Sequence, residues 1–308
     1  MITILLACYN GERYLREQLD SLLGQTVRDF TIAARDDGSA DRTLEILLEY
    51  QRAYPAIITV ESAKENGGGA KYNFWQLMSS QRDDYLMLCD QDDVWLPDKI
   101  ERTLQKMKEL ERRFGVGTPL AIHTDLRVVD EDLRLLAPSY RERAGIDFSR
   151  LAFRFQLVQA TMTGCTVMYN RALAAFFDKA PRFFVMHDWW VMLTASAFGQ
   201  VGQVLEPTLL YRQHRDNAVG AEDVRSLGFR LKQLVHFREA RRRMLETYLQ
   251  AESFLLLYRG RLSPEQLELL ETFCSIPKRR KLGRWKTARR LGVYRGGLLR
   301  SAARFLLI

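Results

Sequence analysis

Over its first 130 residues the chain repeats one rhythm: a short apolar, β-prone run, a turn rich in Asp, Asn or Gly, then apolar residues at helical spacing. Ile2–Cys8 is such a run, and the stretch from Glu12 to Leu23 answers it with Leu15, Leu19, Leu22 and Leu23. Phe30–Ala34, Ile57–Val60 and Tyr85–Cys89 are further runs. Between them lie a helix bearing Leu44, Leu47 and Leu48, capped by Ser39 or Asp41, and a helix around Phe74 and Leu77 after the turn from Asn66 to Gly69. Pro97 suits the first turn of a helix reaching Arg113. Strand and helix in alternation predict an α/β fold with a mostly parallel sheet and helices on both faces. Leu120–His123 and Thr166–Tyr169 read as later strands, and Val191–Phe198 as a helix.

After about residue 222 the pattern is helical only. Phe237, Ala240, Met244, Tyr248, Ala251 and Leu255 draw one apolar stripe, and Ser263-Pro264-Glu265 starts a helix through Phe273. The expected organisation is therefore an α/β domain over 1–222 and a helical region over 223–308 packed on it. The change at 222 is also one of charge. Residues 225–308 hold 20 Lys and Arg against 6 Asp and Glu, which leaves 26 basic and 32 acidic residues before them. A mildly acidic body thus carries a strongly basic tail, which asks for a polyanionic partner. No apolar run reaches the ~18–20 residues needed to span a bilayer. Met1 to Tyr9 has no basic residue ahead of it and no cleavage site behind it, so it reads as a buried strand and not a signal peptide. Cys8, Cys89, Cys165 and Cys274 lie far apart, which suits neither a zinc site nor a disulfide framework, and a reducing cytoplasm is expected.

The acidic residues of the body fall where strands end. Asp36-Asp37-Gly38-Ser39 follows the second strand, and Asp90-Gln91-Asp92-Asp93 follows Tyr85–Cys89. Open α/β sheets bind ligands beyond the carboxyl ends of their strands. Carboxylates there repel a phosphate unless a divalent cation lies between, and hard cations such as Mg²⁺ or Mn²⁺ prefer oxygen ligands. The pair of clusters suggests a metal-dependent site for a nucleotide diphosphate. The plainer alternative is that each cluster caps the helix that follows.

Taken together, Ala7-Cys8-Tyr9-Asn10-Gly11-Glu12, Asp36-Asp37-Gly38-Ser39, and Asp90-Gln91-Asp92-Asp93 with Trp95, Pro97 and Asp98 resemble a family-2 glycosyltransferase with the GT-A fold. The resemblance continues through Thr163-Gly164-Cys165, His187-Asp188-Trp189-Trp190, and Tyr211-Arg212-Gln213-His214 with Asn217, and covers roughly residues 1–220. The Asp-Gln-Asp-Asp-Val-Trp and His-Asp-Trp-Trp forms are most similar to bacterial rhamnosyltransferases of cell-surface polysaccharide assembly. The resemblance implies a nucleotide-diphosphate sugar donor, with L-rhamnose on dTDP favoured, and a polyprenyl-linked glycan acceptor. It assigns donor binding to Ala7, Tyr9, Asn10, Glu12, Asp37, Lys71, Asp90, Gln91 and Arg212. Tyr9 and its backbone would hold the pyrimidine, and Asp37 would accept its N3–H. Asp92 and His214 would ligate the Mn²⁺ or Mg²⁺ that bridges the phosphates, with Arg212 adding positive charge.

Asp188 is the candidate base. Inversion at an anomeric carbon needs one carboxylate to take the acceptor hydroxyl's proton, and the metal handles the leaving group. Without the flanking motifs, His187-Asp188-Trp189-Trp190 reads as a helix cap with two core tryptophans. Trp95, Trp189 and Trp190 are candidates for stacking on the acceptor sugar, with burial in the core as the alternative. His123 and His236 read as structural.

Lys286–Phe305, taken as one helix, puts Leu291, Tyr294, Leu298, Ala302 and Phe305 on one face and Lys286, Arg289, Arg290, Arg300 and Arg304 on the other. That pattern fits attachment to an anionic membrane surface, here the cytoplasmic face of the cell membrane, or a solvated helix packed on the body. Two other readings compete. A nucleotidyltransferase wants a Gly-rich, basic phosphate loop after its first strand, and Tyr9-Asn10-Gly11-Glu12 is not one. A nucleic-acid-binding protein wants basic and aromatic residues across its body, which here is net acidic.

Overall fold

The computed structural model describes residues 1–63, 67–214 and 237–293. Its strands are β1 (Ile2–Cys8), β2 (Phe30–Asp36), β3 (Ile58–Ser62), β4 (Tyr85–Asp90), β5 (Val94–Trp95), β6 (Leu120–Val129), β7 (Leu135–Ala137), β8 (Met168–Asn170) and β9 (Gln200–Arg212). They form one sheet in the order β3-β2-β1-β4-β8-β6-β9-β5, with β7 paired to β6. Its helices are α1 (Leu15–Leu23), α2 (Thr43–Ala53), α3 (Ala70–Ser80), α4 (Lys99–Phe114), α5 (Tyr140–Ala144), α6 (Phe153–Gln156), α7 (Arg171–Ala174), α8 (His187–Phe198), α9 (Phe237–Tyr258), α10 (Pro264–Ser275) and α11 (Lys281–Leu291).

The first four expected strands form, and β3-β2-β1-β4 is parallel throughout. From β1 the chain steps outward to β2 and β3, then returns across β1 to lay β4 on its other side. The strand order therefore reverses at β1 and β4, and a crevice opens beyond their carboxyl ends. β1, apolar but for Thr3, is buried along its whole length between two parallel neighbours. On α1, Leu15, Leu19 and Leu22 face the core. On α2 the buried face is Thr43, Ile46 and Leu47, whereas Leu48 is exposed, one position off the expected stripe. The N-cap of α2 is Arg42, without a side-chain capping bond, and not Ser39 or Asp41; Asp41, one residue earlier, accepts from the Thr43 N–H at 3.0 Å. Pro97 stands just ahead of α4 and not in its first turn, because the Pro97 carbonyl is held by the Thr26 N–H at 2.8 Å.

The second half of the sheet is less regular. β8 runs antiparallel to β4 and β6, and β5 antiparallel to β9. β9 was not foreseen from the sequence. Its alternation is broken by Glu206-Pro207, and it forms through parallel pairing with β6, with an irregularity opposite Thr124 and Asp125 that absorbs the extra residues.

The described residues group into two compact units interleaved along the chain. One takes 1–63, 67–140, 162–179 and 199–214 and contains the whole sheet. The other takes 141–161, 180–198 and 237–293, so the boundary expected at 222 lies outside the described residues. This second unit is organised around an aromatic cluster. Trp190 of α8 meets Phe184, Phe254 and Tyr258, and Phe254 also meets Phe153 and Phe198. The expected Ser263 start of α10 is a full capping box with Gln266. The helix expected over 286–305 is not continuous. α11 ends at Leu291, where Gly292 takes a left-handed φ of 64° and closes it, and 294–308 lie outside the described residues. Among the described residues no helix is long and apolar enough to cross a membrane.

Candidate active site

The crevice at the ends of β1, β2 and β4 is built by backbone laced with side chains. The loop after β1 is pinned to its neighbours at every residue. Tyr9 N–H donates to Gln91 Oε1 at 2.7 Å, and Gln91 Nε2 returns a bond to the Tyr9 carbonyl at 2.9 Å. Asn10, at φ 48°, donates its N–H to Ser39 Oγ and accepts from the Ala40 N–H at 2.9 Å. The Glu12 carboxylate accepts from the Arg42 N–H at 2.9 Å. A Cβ at Gly11 would lie 2.3 Å from Gln91 Oε1, so a side chain there would push the Gln91 amide aside. Gln91, Asn10 and Glu12, expected to touch the donor, are thus engaged in shaping the loop, while the Tyr9 ring stays open at 44% exposure. Ala7 is buried in β1, in register with Arg35 on one side and Asp90 on the other.

At the end of β2 the two aspartates divide the labour. Asp36 holds its own turn, accepting from Gly38 and Ser39 N–H and from Ser39 Oγ. Asp37 is 1% exposed; its Oδ1 accepts from Arg35 Nη1 at 2.8 Å and from the Gly67 N–H at 3.2 Å. Its Oδ2 is buried and has no hydrogen-bond partner among the described residues. A carboxylate oxygen left unpaired in a protein interior is costly, and a ligand N–H would relieve it. Asn73 of α3, which the sequence reading missed, closes this corner. Its amide donates to the Cys8 and Arg35 carbonyls and accepts from Arg35 Nη1. Lys71 is half-buried in the first turn of the same helix, its ammonium 5.0 Å from the Tyr72 ring centroid.

The loop after β4 carries the acidic cluster. Asp90 is half-buried, and its carboxylate, that of Asp93 and the Cys165 thiol lie within 4.8 Å of one another. Burial, then the charges of Asp92 and Asp90, push the Asp93 carboxyl well above the usual carboxylate range. Asp92 points elsewhere. Its Oδ2 lies 2.8 Å from His214 Nε2, a pairing of residues 122 apart in sequence. One carboxylate oxygen and one imidazole nitrogen, nearly buried and convergent, are a donor set suited to Mn²⁺ or Mg²⁺ beside nucleotide phosphates.

Arg212 does not reach into the crevice. It is 2% exposed, and its Nε donates to the Asp92 carbonyl at 2.9 Å, Nη1 to the Glu131 carbonyl at 2.6 Å, and Nη2 to the Glu17 carboxylate. Its own N–H donates to Asp93 Oδ1 at 3.2 Å. The side chain expected to lend charge to the diphosphate is a buried strut joining the acidic loop, β9 and α1. Beneath the loop sits another cation that the sequence reading missed. Lys99 is fully buried, 4.6 Å from the Trp95 ring centroid, and burial pulls its pKa down to about 8.

Of the three tryptophans, Trp95 belongs to the core of the sheet unit and Trp190 is fully enclosed by the aromatic cluster of the second unit, so neither presents a face to a sugar. Trp189 is half-buried, its indole N–H donating to the Gln156 carbonyl at 2.6 Å. Asp188 stands in the first turn of α8, half-buried, with Oδ1 accepting from the Trp189 N–H at 2.7 Å. His123 and His187 are buried and held neutral, their pKa values lowered by desolvation to about 4 and about 3, as structural histidines should be. Asn66, Asn217 and His236 lie outside the described residues. All four cysteines are free and buried.

A sheet of this order, with acidic loops at its switch point and a helical C-terminal region, is the GT-A fold of nucleotide-sugar-dependent glycosyltransferases. The chain belongs to glycosyl transferase family 2, whose sequence model matches residues 3–176. It is 30% identical over 228 residues to a dTDP-rhamnosyl transferase of Shigella flexneri, covering 70% of this chain and 74% of that protein. It is 26% identical over 198 residues to a glycosyltransferase of Rickettsia typhi of uncharacterised activity, covering 62% and 57%. Among solved structures it resembles residues 1–349 of TarS from S. aureus, crystallised with UDP-GlcNAc, at a TM-score of 0.55 and 14% identity over 95% of this chain and 92% of that one. The protein is a glycosyltransferase.

Proposed function

We propose that this glycosyltransferase is inverting and metal-dependent, and that it moves a sugar from a nucleoside diphosphate to a hydroxyl of a lipid-linked glycan. The observation that carries the reading is the convergence of His214 on Asp92 in the loop after β4, with the unpaired Asp37 oxygen at the end of β2. L-rhamnose carried on dTDP is the favoured donor, supported by the Shigella flexneri relative. The Tyr9 ring offers a face to the base, and Asp37 Oδ2 accepts the base N3–H. Asp90 meets the ribose or sugar, and Lys71 belongs to the donor-binding set. Ala7 contributes to that cradle from within β1, and Asn10, Glu12 and Gln91 shape it through side-chain bonds to neighbouring backbone. Asp92 and His214 hold Mn²⁺ or Mg²⁺, which when bound supplies positive charge for the departing diphosphate. Asp188 takes the proton from the acceptor hydroxyl as it attacks, and Trp189 is the remaining aromatic candidate for the acceptor. In this reading 1–222 carries donor binding and catalysis and 223–308 forms the basic helical region.

The acceptor in this reading is polyprenyl-linked, which calls for a membrane contact. Exposed Lys278, Arg279, Arg280 and Lys281 beside Leu282, itself 73% exposed, support attachment to the anionic cytoplasmic face of the cell membrane. Titration calorimetry with dTDP and UDP, with and without Mn²⁺, tests the donor site. Binding should need the metal and be largely lost in Asp92→Asn, and metal-independent binding at full strength in that variant would remove Asp92 from the site. Asp188→Asn should lower turnover by ~10²–10⁴ with donor affinity little changed. Sedimentation with anionic but not neutral liposomes, weakening with salt, tests the membrane contact.

A further inference from the structure

Tyr14 is absent from every motif that pointed to this site, yet it lies at the centre of the residues that hold it. It stands immediately before α1, where its N–H donates to the Gly11 carbonyl at 3.1 Å and its carbonyl accepts from the Gln18 N–H at 3.2 Å. That backbone position is common to the donor loop and the helix, and the side chain it carries is buried. The His214 imidazole lies against the Tyr14 ring, centroids 4.9 Å apart and planes tilted by 37°. The Arg212 guanidinium sits over the same ring at 4.5 Å. His214 and Arg212 are the two side chains at the end of β9 that reach the acidic loop, one at the Asp92 carboxylate and the other at the Asp92 carbonyl.

We propose that Tyr14 is a positioning residue whose ring sets the plane of the His214 imidazole and so aims Nε2 at Asp92. An imidazole on two rotatable bonds is fixed at one point by a contact at Nε2. A second surface stops the ring turning about that point, and the Tyr14 face provides one. The ring does this work, not the hydroxyl: Tyr14 Oη is buried without a hydrogen-bond partner among the described residues. Its consequence for metal affinity rests on the reading of Asp92 and His214 as ligands given above. A pre-aimed imidazole binds without first losing its rotational freedom, so removing the backstop weakens the site without removing a ligand.

The test compares Tyr14→Phe, which keeps the ring, with Tyr14→Leu, which keeps apolar bulk alone; Tyr14→Met replaces the latter if its thermal melt shows a folding defect. Two readouts are taken on the whole chain. In the metal-free protein, the ring proton shifts of His214, assigned with His214→Asn, report whether the aromatic face is still against it. Titration with Mn²⁺ alone, followed by electron paramagnetic resonance, gives the affinity. Tyr14→Leu should shift the His214 resonances and weaken Mn²⁺ binding roughly three- to tenfold, the range for losing an aromatic contact. Tyr14→Phe should leave both near wild type. Unchanged His214 resonances in Tyr14→Leu would overturn the proposal, and so would equal losses in Tyr14→Phe and Tyr14→Leu, which would assign the effect to the hydroxyl. Unaltered Mn²⁺ affinity in Asp92→Asn would instead count against the metal reading, and the His214 resonances would still decide the role of Tyr14.

Discussion

Replacing Arg212 by Met separates a strut from a ligand. In the structure the guanidinium serves two backbone carbonyls, Asp92 at 2.9 Å and Glu131 at 2.6 Å, together with the Glu17 carboxylate and the Tyr14 ring. Each bond from a charged donor to a backbone carbonyl contributes about 1.5 kcal/mol. The ring contact adds about 1 kcal/mol. Glu17 is 56% exposed, so solvent screens that pair to a few tenths of a kcal/mol. Arg212→Met should therefore cost about 4 kcal/mol, which for a chain of this size lowers the melting temperature by roughly 10 °C. Differential scanning fluorimetry and urea unfolding give the stability, and calorimetry with dTDP and Mn²⁺, well below the melt, gives the affinity. A strut predicts a large stability loss with nucleotide affinity changed only a few-fold. Wild-type melting combined with a more than tenfold loss of affinity would refute the argument and return Arg212 to the diphosphate.

Three further outcomes are expected. The Lys99 ammonium, with its pKa lowered by burial from 10.5 to about 8, loses its proton in the folded chain before the unfolded chain does. The unfolded chain then binds more protons between about pH 8 and 10.5, so stability rises with pH across that window, by about 3 kcal/mol in all. Lys99→Met should abolish that rise; a wild-type minus variant difference in unfolding free energy that stays flat from pH 7.5 to 10 would contradict the buried charge. Gly11→Ala must displace the Gln91 amide from the Tyr9 backbone, so dTDP affinity should fall by at least tenfold with the melting temperature within ~3 °C of wild type. Unchanged affinity would show that the loop tolerates the shift. Gln250 of α9 accepts from the Val185 N–H at 2.8 Å, two residues ahead of α8, the helix that carries Asp188 in its first turn. Gln250→Leu should lower kcat about three- to tenfold with the donor KM unaltered; a change in KM alone would deny the helical unit a part in placing Asp188.

Much of this was legible in the residues because the signals are local. An apolar run such as Ile2–Cys8 has nowhere to go but a buried strand, and a leucine stripe such as Leu15, Leu19 and Leu22 is a helix face whatever it packs against. Placement of the acidic clusters at strand ends followed from the same reading. So did the Ser263 cap, a four-residue device that needs no partner element. Even the end of α11 was written locally, in the glycine that adopts φ 64°, although the charge pattern past it suggested a longer helix.

What the tertiary structure alone decided concerns residues that meet across long separations. Strand order is such a property: nothing within β1 or β4 says that they are neighbours, yet that pairing creates the switch point and brings Asp37 and Asp90 to one crevice. β9 forms because β6 offers it hydrogen bonds, overriding a weak local pattern. The same non-local packing distinguishes residues of one chemical type. Arg212 and Lys99 are both cations near carboxylates, and only the fold shows that Arg212 is bonded to the acidic loop while Lys99 is buried against Trp95 and Thr208. Trp95 and Trp190 are shut in cores while Trp189 keeps part of its surface, a difference set by what packs against each ring. Residue type and spacing along the chain determine which chemistry is present. Which side chain faces the crevice and which is spent on holding it is decided by the desolvation and pairing that only the folded chain imposes.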